Sequence, residues 1–164
     1  MTIAELNRMD RAAFVTAVGW VFEHSPWVAE RAADSRPFAD LDALHSAMTG
    51  QVERASKSEC LALLQAHPDL GTRARVSDAS TSEQSGAGLD RLTPAEFEKL
   101  QRLNTAYRAR FGFPFLLAVR GSTKYDVLRA LQARIEASPE DEYREALQQV
   151  YRIARFRLED LITS

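Results

Sequence analysis

Six consecutive residues, Ala66-His67-Pro68-Asp69-Leu70-Gly71, put an imidazole at the end of a helical run, where Pro68 withdraws a backbone donor and stops the helix. A side chain at such an end can face a cleft. Further along come Ser80-Thr81-Ser82-Glu83-Gln84 and Arg110-Phe111-Gly112-Phe113-Pro114-Phe115, the latter continuing through Leu116-Leu117-Ala118-Val119 to Arg120-Gly121. Together they supply an acid or base, a carboxylate, an amide, an aromatic wall that includes Phe115, and a guanidinium. Such an inventory suits proton transfer on a small polar anion.

Each residue also has a purely structural reading. A helix C-terminus attracts a cationic imidazole through its dipole, so His67 could simply cap, although its unperturbed pKa of about 6.5 suits acid–base work. Glu83 fits the third helical position of a capping box headed by Ser80. The free amides at such a helix start can also bind an anion. Gln84 beside it reads as solvated surface or as a ligand contact. Arg120 either closes a buried run at the surface or, if buried, needs an anionic partner; Arg110 flanks the same run. The Phe111, Phe113 and Phe115 rings are core by default, with Gly112 and Pro114 fixing the backbone between them. His24 and His45 have neither HExxH nor CxxC context, so no metal site is expected.

These side chains need a scaffold, and 164 residues suffice for one domain, residues 1–164, without metal or disulfide staples. The single Cys60 cannot form an internal bridge and points to a reducing compartment. A net charge of −2 from 21 basic and 23 acidic residues gives no reason to expect nucleic-acid binding. The first residues do not resemble a secretory leader, no apolar run is long enough to span a membrane, and Ile162-Thr163-Ser164 is not a peroxisomal signal. A cytoplasmic protein is the expectation.

Ser56-x-x-Glu59, Ser80-x-x-Glu83 and Thr93-Pro94-Ala95-Glu96 all read as capping boxes, and Ser138-Pro139-Glu140-Asp141 is a similar start with Asp in place of Glu. Between them apolar residues recur near every 3.6 positions, for example Phe14, Val18, Val21 and Phe22, or Leu100, Leu103 and Tyr107 with Asn104 among them. The pattern predicts helices near 11–23, 27–34, 40–55, 57–66, 94–110, 123–137 and 139–162. Residues 71–92, rich in Ser, Gly, Thr and Asp, read as a long polar loop of the kind that commonly carries function. Phe113 to Val119 has no polar face and no run to pair with. It reads as an extended buried connector whose backbone groups need partners, a ligand being one option. The fold class is therefore all-α, a single compact domain of about seven to nine helices with an extended buried connector near 113–119.

His67-Pro68-Asp69-Leu70, Ser80-x-x-Glu83-Gln84 followed by Ala87-Gly88-Leu89, and Phe111-Gly112-Phe113-Pro114-Phe115 ending in Arg120-Gly121 closely resemble the OHCU decarboxylase family. The resemblance extends through Glu23-His24-Ser25-Pro26-Trp27-Val28 and Arg36-Pro37-Phe38, and covers about residues 10–160. It implies an all-helical, often homodimeric enzyme with no cofactor, a lyase that converts 2-oxo-4-hydroxy-4-carboxy-5-ureidoimidazoline into (S)-allantoin in uric acid breakdown. It implies His67 as the catalytic histidine and Glu83 as the active-site carboxylate. Ser80, Gln84 and Arg120 become substrate contacts, Pro68 lines the pocket, and Phe115 joins the substrate-binding set. One departure is a shortened stretch from Gly71 to Ala79, which keeps Arg73 and Arg75. Two alternatives stand beside this reading. One is a non-catalytic helical interaction module that docks a partner through an exposed Phe-rich patch; the other is an enzyme acting on a related ureide. Trp20, Trp27 or the terminal helix could furnish a dimer surface.

Overall fold

Short polar side chains set the helix starts as their spacing predicts. Ser56 and Glu59 exchange hydrogen bonds with each other's backbone N–H at the head of α5 (Lys57–Gln65), and Thr93 and Glu96 do the same at the head of α7 (Pro94–Phe111), where Pro94 occupies the first turn. Each reciprocal pair satisfies two amide donors that the helix itself cannot. Ser138 caps α9 (Pro139–Leu161) by accepting from the Asp141 N–H at 3.2 Å. Thr123 and Asp126 form a further box at the head of α8 (Lys124–Arg134).

The computed structural model describes residues 1–71 and 78–163. Among these residues the chain forms nine α-helices and no strand, so the fold is all-α. Two compact units are distinguished, Met1–Ala66 with Tyr151–Ser164, and His67–Val150. No helix among the described residues is long and apolar enough to cross a membrane. The stretch carrying Arg73 and Arg75 lies outside the described residues.

The first unit contains α1 (Ile3–Arg8), α2 (Arg11–Val18), α3 (Trp27–Ala32), α4 (Leu41–Arg54), α5 and the second half of α9. Phe14, Phe22, Leu44, Met48, Leu63 and Leu158 are fully buried in it. Each such side chain contributes about 1.5–3 kcal/mol on leaving water. The helix expected over 11–23 is shorter: at Val18 the backbone leaves the α region and tightens into a 3₁₀ turn over Gly19–Val21, which still buries Val21 and Phe22. The helix expected over 123–137 stops at Arg134. His45 Nε2 lies 2.8 Å from the Tyr151 carbonyl, a structural contact. Glu23 and Arg157, 1 % and 3 % exposed at their side chains, form a buried ion pair at 3.3 Å.

The second unit holds α6 (Asp78–Gly86), α7, α8 and the first half of α9. Two helices, α1 and α6, lie outside the predicted ranges; α6 occupies much of the stretch read as a polar loop, within which only the Ser80–Glu83 spacing reads as a helix start. Its presence overturns the capping reading of Ser80, which is the third residue of α6 and 6 % exposed, not the residue that heads it. Glu83 is consequently a mid-helix side chain and not the third-position half of a box. Gly112 ends α7 at φ +81°, a left-handed turn that glycine adopts without a Cβ penalty. The chain then enters the extended connector, in which Phe113, Phe115, Leu116, Ala118 and Val119 are all buried, as expected.

Candidate active site

The candidate site in the second unit begins two residues past the end of α5, at His67, which is 6 % exposed. A histidine that only capped a helix would be expected to keep its charge in water; this imidazole is interior. The segment after it is fastened residue by residue to neighbouring helices. Asp69 Oδ1 accepts from Arg108 Nη2 at 3.0 Å, the Leu70 carbonyl accepts from Asn104 Nδ2 at 2.9 Å, and the Gly71 N–H donates to Gln84 Oε1 at 2.9 Å. Two of these anchors stand four residues apart on α7, and Leu100, four residues earlier, closes the row. A Cβ added to Gly71 would come within 2.5 Å of Leu100 Cδ2. Side chains four apart share one helix face. A single stripe of α7, Leu100–Asn104–Arg108, thus receives Gly71, Leu70 and Asp69 in turn.

Helix α6 presents a polar face inward. Ser80 and Gln84, spaced by four, are both buried, with Glu83 half-buried beside them. Gln84 is therefore not solvated surface; its carbonyl grips the histidine segment. Pro68 is half-buried next to His67.

The connector carries Phe115 and leads to Arg120. Its backbone groups find partners in side chains: Arg134 Nη1 donates to the Leu116 carbonyl at 2.5 Å, and the Ala118 N–H donates to Gln149 Oε1 at 2.9 Å. Arg134 also stacks on the Phe115 ring, 4.6 Å from its centroid. Its guanidinium is held in turn by Glu142, at 2.7 Å from Nε and 2.5 Å from Nη2, and the Tyr107 hydroxyl donates to the same carboxylate oxygen at 2.5 Å. Burial, and then Glu142, push the Tyr107 phenol well above its ordinary pKa, so it stays a donor at all working pH values. Tyr107 packs edge-on against Phe113 and Phe115, with ring centroids 5.9 and 5.5 Å away. The aromatic run is thus interior, with Phe113 and Phe115 at 3 % and 1 % exposure, and the exposed Phe-rich patch that a docking module requires is absent from these residues.

Arg110 donates to the Ala137 carbonyl at 2.8 Å and lies over the Phe111 ring. Arg120 stands exposed at the turn that ends the connector. The hydrogen bond from the Gly71 N–H ties Gln84 directly to the His67 segment. Four residues that shape the site carry no functional reading in the sequence: Asn104, Arg108, Arg134 and Gln149. Asn104 alone left a signal, as a polar residue within the apolar stripe of α7.

The sequence profile of the OHCU decarboxylase family matches residues 7–159. The chain is 48 % identical to a 2-oxo-4-hydroxy-4-carboxy-5-ureidoimidazoline decarboxylase of Haloferax volcanii, over 100 % of this chain and 98 % of that protein. It is 49 % identical to the uric acid degradation bifunctional protein PucL of Bacillus subtilis, over 99 % of this chain but only 33 % of that longer protein. Among solved structures, an (S)-allantoin synthase superposes with a TM-score of 0.82 at 37 % identity, over 99 % of this chain and 54 % of that one. With a profile spanning nearly the whole chain and a relative matched end to end, the helices around His67 are those of a known lineage, and the chain belongs to the OHCU decarboxylase family.

Proposed function

We propose that this protein decarboxylates 2-oxo-4-hydroxy-4-carboxy-5-ureidoimidazoline to (S)-allantoin without a cofactor. Family membership supports the substrate. The observation that carries the assignment of the site is His67, buried at 6 % exposure and carried on a segment pinned by Gln84, Asn104 and Arg108. A fixed imidazole is what proton transfer in the transition state requires.

The chemistry balances within the substrate. When the bond from C4 to the carboxylate breaks, its electron pair forms C4=C5 while the C5=N pair moves to nitrogen, which takes a proton. The resulting enol loses its hydroxyl proton and gains one at C5, giving CO2 and allantoin. His67 is assigned the exchange with the C4 hydroxyl, and Glu83 orients the imidazole or the ureido group. Ser80, Gln84, Pro68 and Phe115 line the substrate. Arg120, with nearby amides, holds the oxygens on which charge gathers. Arg110 is less suited, being committed to Ala137 and Phe111. A homodimer in the cytoplasm belongs to the same proposal; light scattering reads the first part.

The test is circular dichroism of substrate freshly generated from urate by urate oxidase and hydroxyisourate hydrolase. The protein is expected to raise the (S)-allantoin signal far faster than the uncatalysed background, and His67→Asn to lower turnover by about 10²–10⁴-fold with an unchanged helical spectrum. Equal turnover in His67→Asn removes it from the mechanism. Glu83→Gln keeps the size of the side chain and removes its charge. A fall in rate supports its role, and an unchanged rate returns it to the scaffold.

A further inference from the structure

Asn104 contributes to α7 a carboxamide that is 5 % exposed and only half used. Its nitrogen donates to the Leu70 carbonyl, whereas its oxygen, Oδ1, is buried with no hydrogen-bond partner among the described residues. The two ends cannot be exchanged, because turning the amide would set oxygen against the Leu70 carbonyl oxygen. A buried acceptor without a donor is rare in native structures and points to a missing partner. Amide geometry keeps Oδ1 within about 5 Å of the Leu70 oxygen, beside the backbone that carries His67 and Pro68 and that Gln84 grips at Gly71. The orphan acceptor therefore lies beside the segment that carries His67.

We infer that Asn104 is a substrate-binding residue, whose Oδ1 accepts a hydrogen bond from an N–H of the ureido or ring amide of the ligand. The inference rests on the proposed function and deepens it. His67 is assigned to proton exchange and Glu83 to orienting the imidazole or the ureido group, while the Gln84 carbonyl already accepts from the Gly71 N–H. A neutral carbonyl does so at any pH, and it discriminates because a ligand lacking that hydrogen leaves the acceptor orphaned again. The same side chain also positions the histidine segment through Leu70, so binding of the ligand and placement of His67 meet on one amide.

The test separates recognition from scaffolding by changing the ligand as well as the protein. (S)-Allantoin and its derivatives methylated singly at each ring and ureido nitrogen are used as competitive ligands for the wild type, Asn104→Ala and Asn104→Asp, with folding of each variant checked by its melting curve. The wild type is expected to bind one methyl isomer about 3- to 10-fold more weakly than allantoin. Asn104→Ala is expected to lose that discrimination. Asn104→Asp retains an acceptor and is expected to keep it, even with its tether to Leu70 gone. Discrimination that survives in Asn104→Ala, or a wild type that binds allantoin and every methyl isomer alike, overturns the inference while leaving the decarboxylase reading intact. A wild type that neither forms (S)-allantoin nor binds it overturns both.

Discussion

Replacing Arg134 with methionine keeps most of the aliphatic stem and deletes the guanidinium between Glu142 and the connector. Among the described residues, Glu142, 1 % exposed, then keeps only the Tyr107 hydroxyl, and the buried Leu116 residue loses the donor to its carbonyl. Removing one partner of a buried ion pair costs about 3–5 kcal/mol, and an orphaned carbonyl about 1–3 kcal/mol. The Arg134 side chain is 14 % exposed, so some water reaches the gap. The combined cost then settles near about 3–4 kcal/mol. In a chain of 164 residues, each kcal/mol moves the melting temperature by about 2–4 °C, which gives a fall of about 6–16 °C. Far-UV circular dichroism during a slow melt reads it. Adding Glu142→Leu removes the stranded charge and is expected to recover at least half of the loss, the signature of an uncompensated buried ion and not of lost packing. A single variant melting within about 2 °C of the wild type, or a double variant that loses the sum of the two single losses, refutes the reasoning.

Gly71→Ala is expected to destabilise by about 1–2 kcal/mol from the left-handed backbone alone. Its φ is +75° and the new methyl meets Leu100, 1 % exposed, at 2.5 Å. Urea unfolding checks it; a midpoint equal to that of the wild type would mean that the turn relaxes freely. Glu59 is held down to about 2 from 4.5 by hydrogen bonds first from Arg31 and then from the Ser56 backbone. Because the folded value lies below the unfolded one, its contribution is fully present above pH 4.5 and is lost as pH falls toward 2. The difference in melting temperature between the wild type and Glu59→Gln is therefore expected to shrink over that window, and a difference that is the same at both ends would contradict the assignment.

Periodicity and caps expose most of the helices because both signals are local: an apolar stripe reports a buried face, and a Ser or Thr with an acid three residues on reports a start. They fail at α1 and α6 for different reasons. Six residues with only Leu6 buried are too short for a stripe to repeat. Helix α6 does repeat, but its buried residues are Ser80 and Gln84, which a hydrophobic pattern cannot register. The spacing of Ser80 and Glu83 signalled a helix in the right place with the wrong register. The residue types suited to chemistry at His67, Glu83 and Gln84 are visible in the chain. Their supports are not, because Arg134 and Gln149 reach the connector from helices 18 and 31 residues away in sequence.

The row Leu100, Asn104 and Arg108 makes α7 a ruler against which the histidine segment is read, and a ruler tolerates no change in its graduations. One residue inserted between Leu100 and Arg108 would turn everything beyond it by about 100°, carrying Arg108 away from Asp69 while Leu100 still faced Gly71. Between Leu100 and Arg108 this chain therefore accepts substitution far more readily than a change of length.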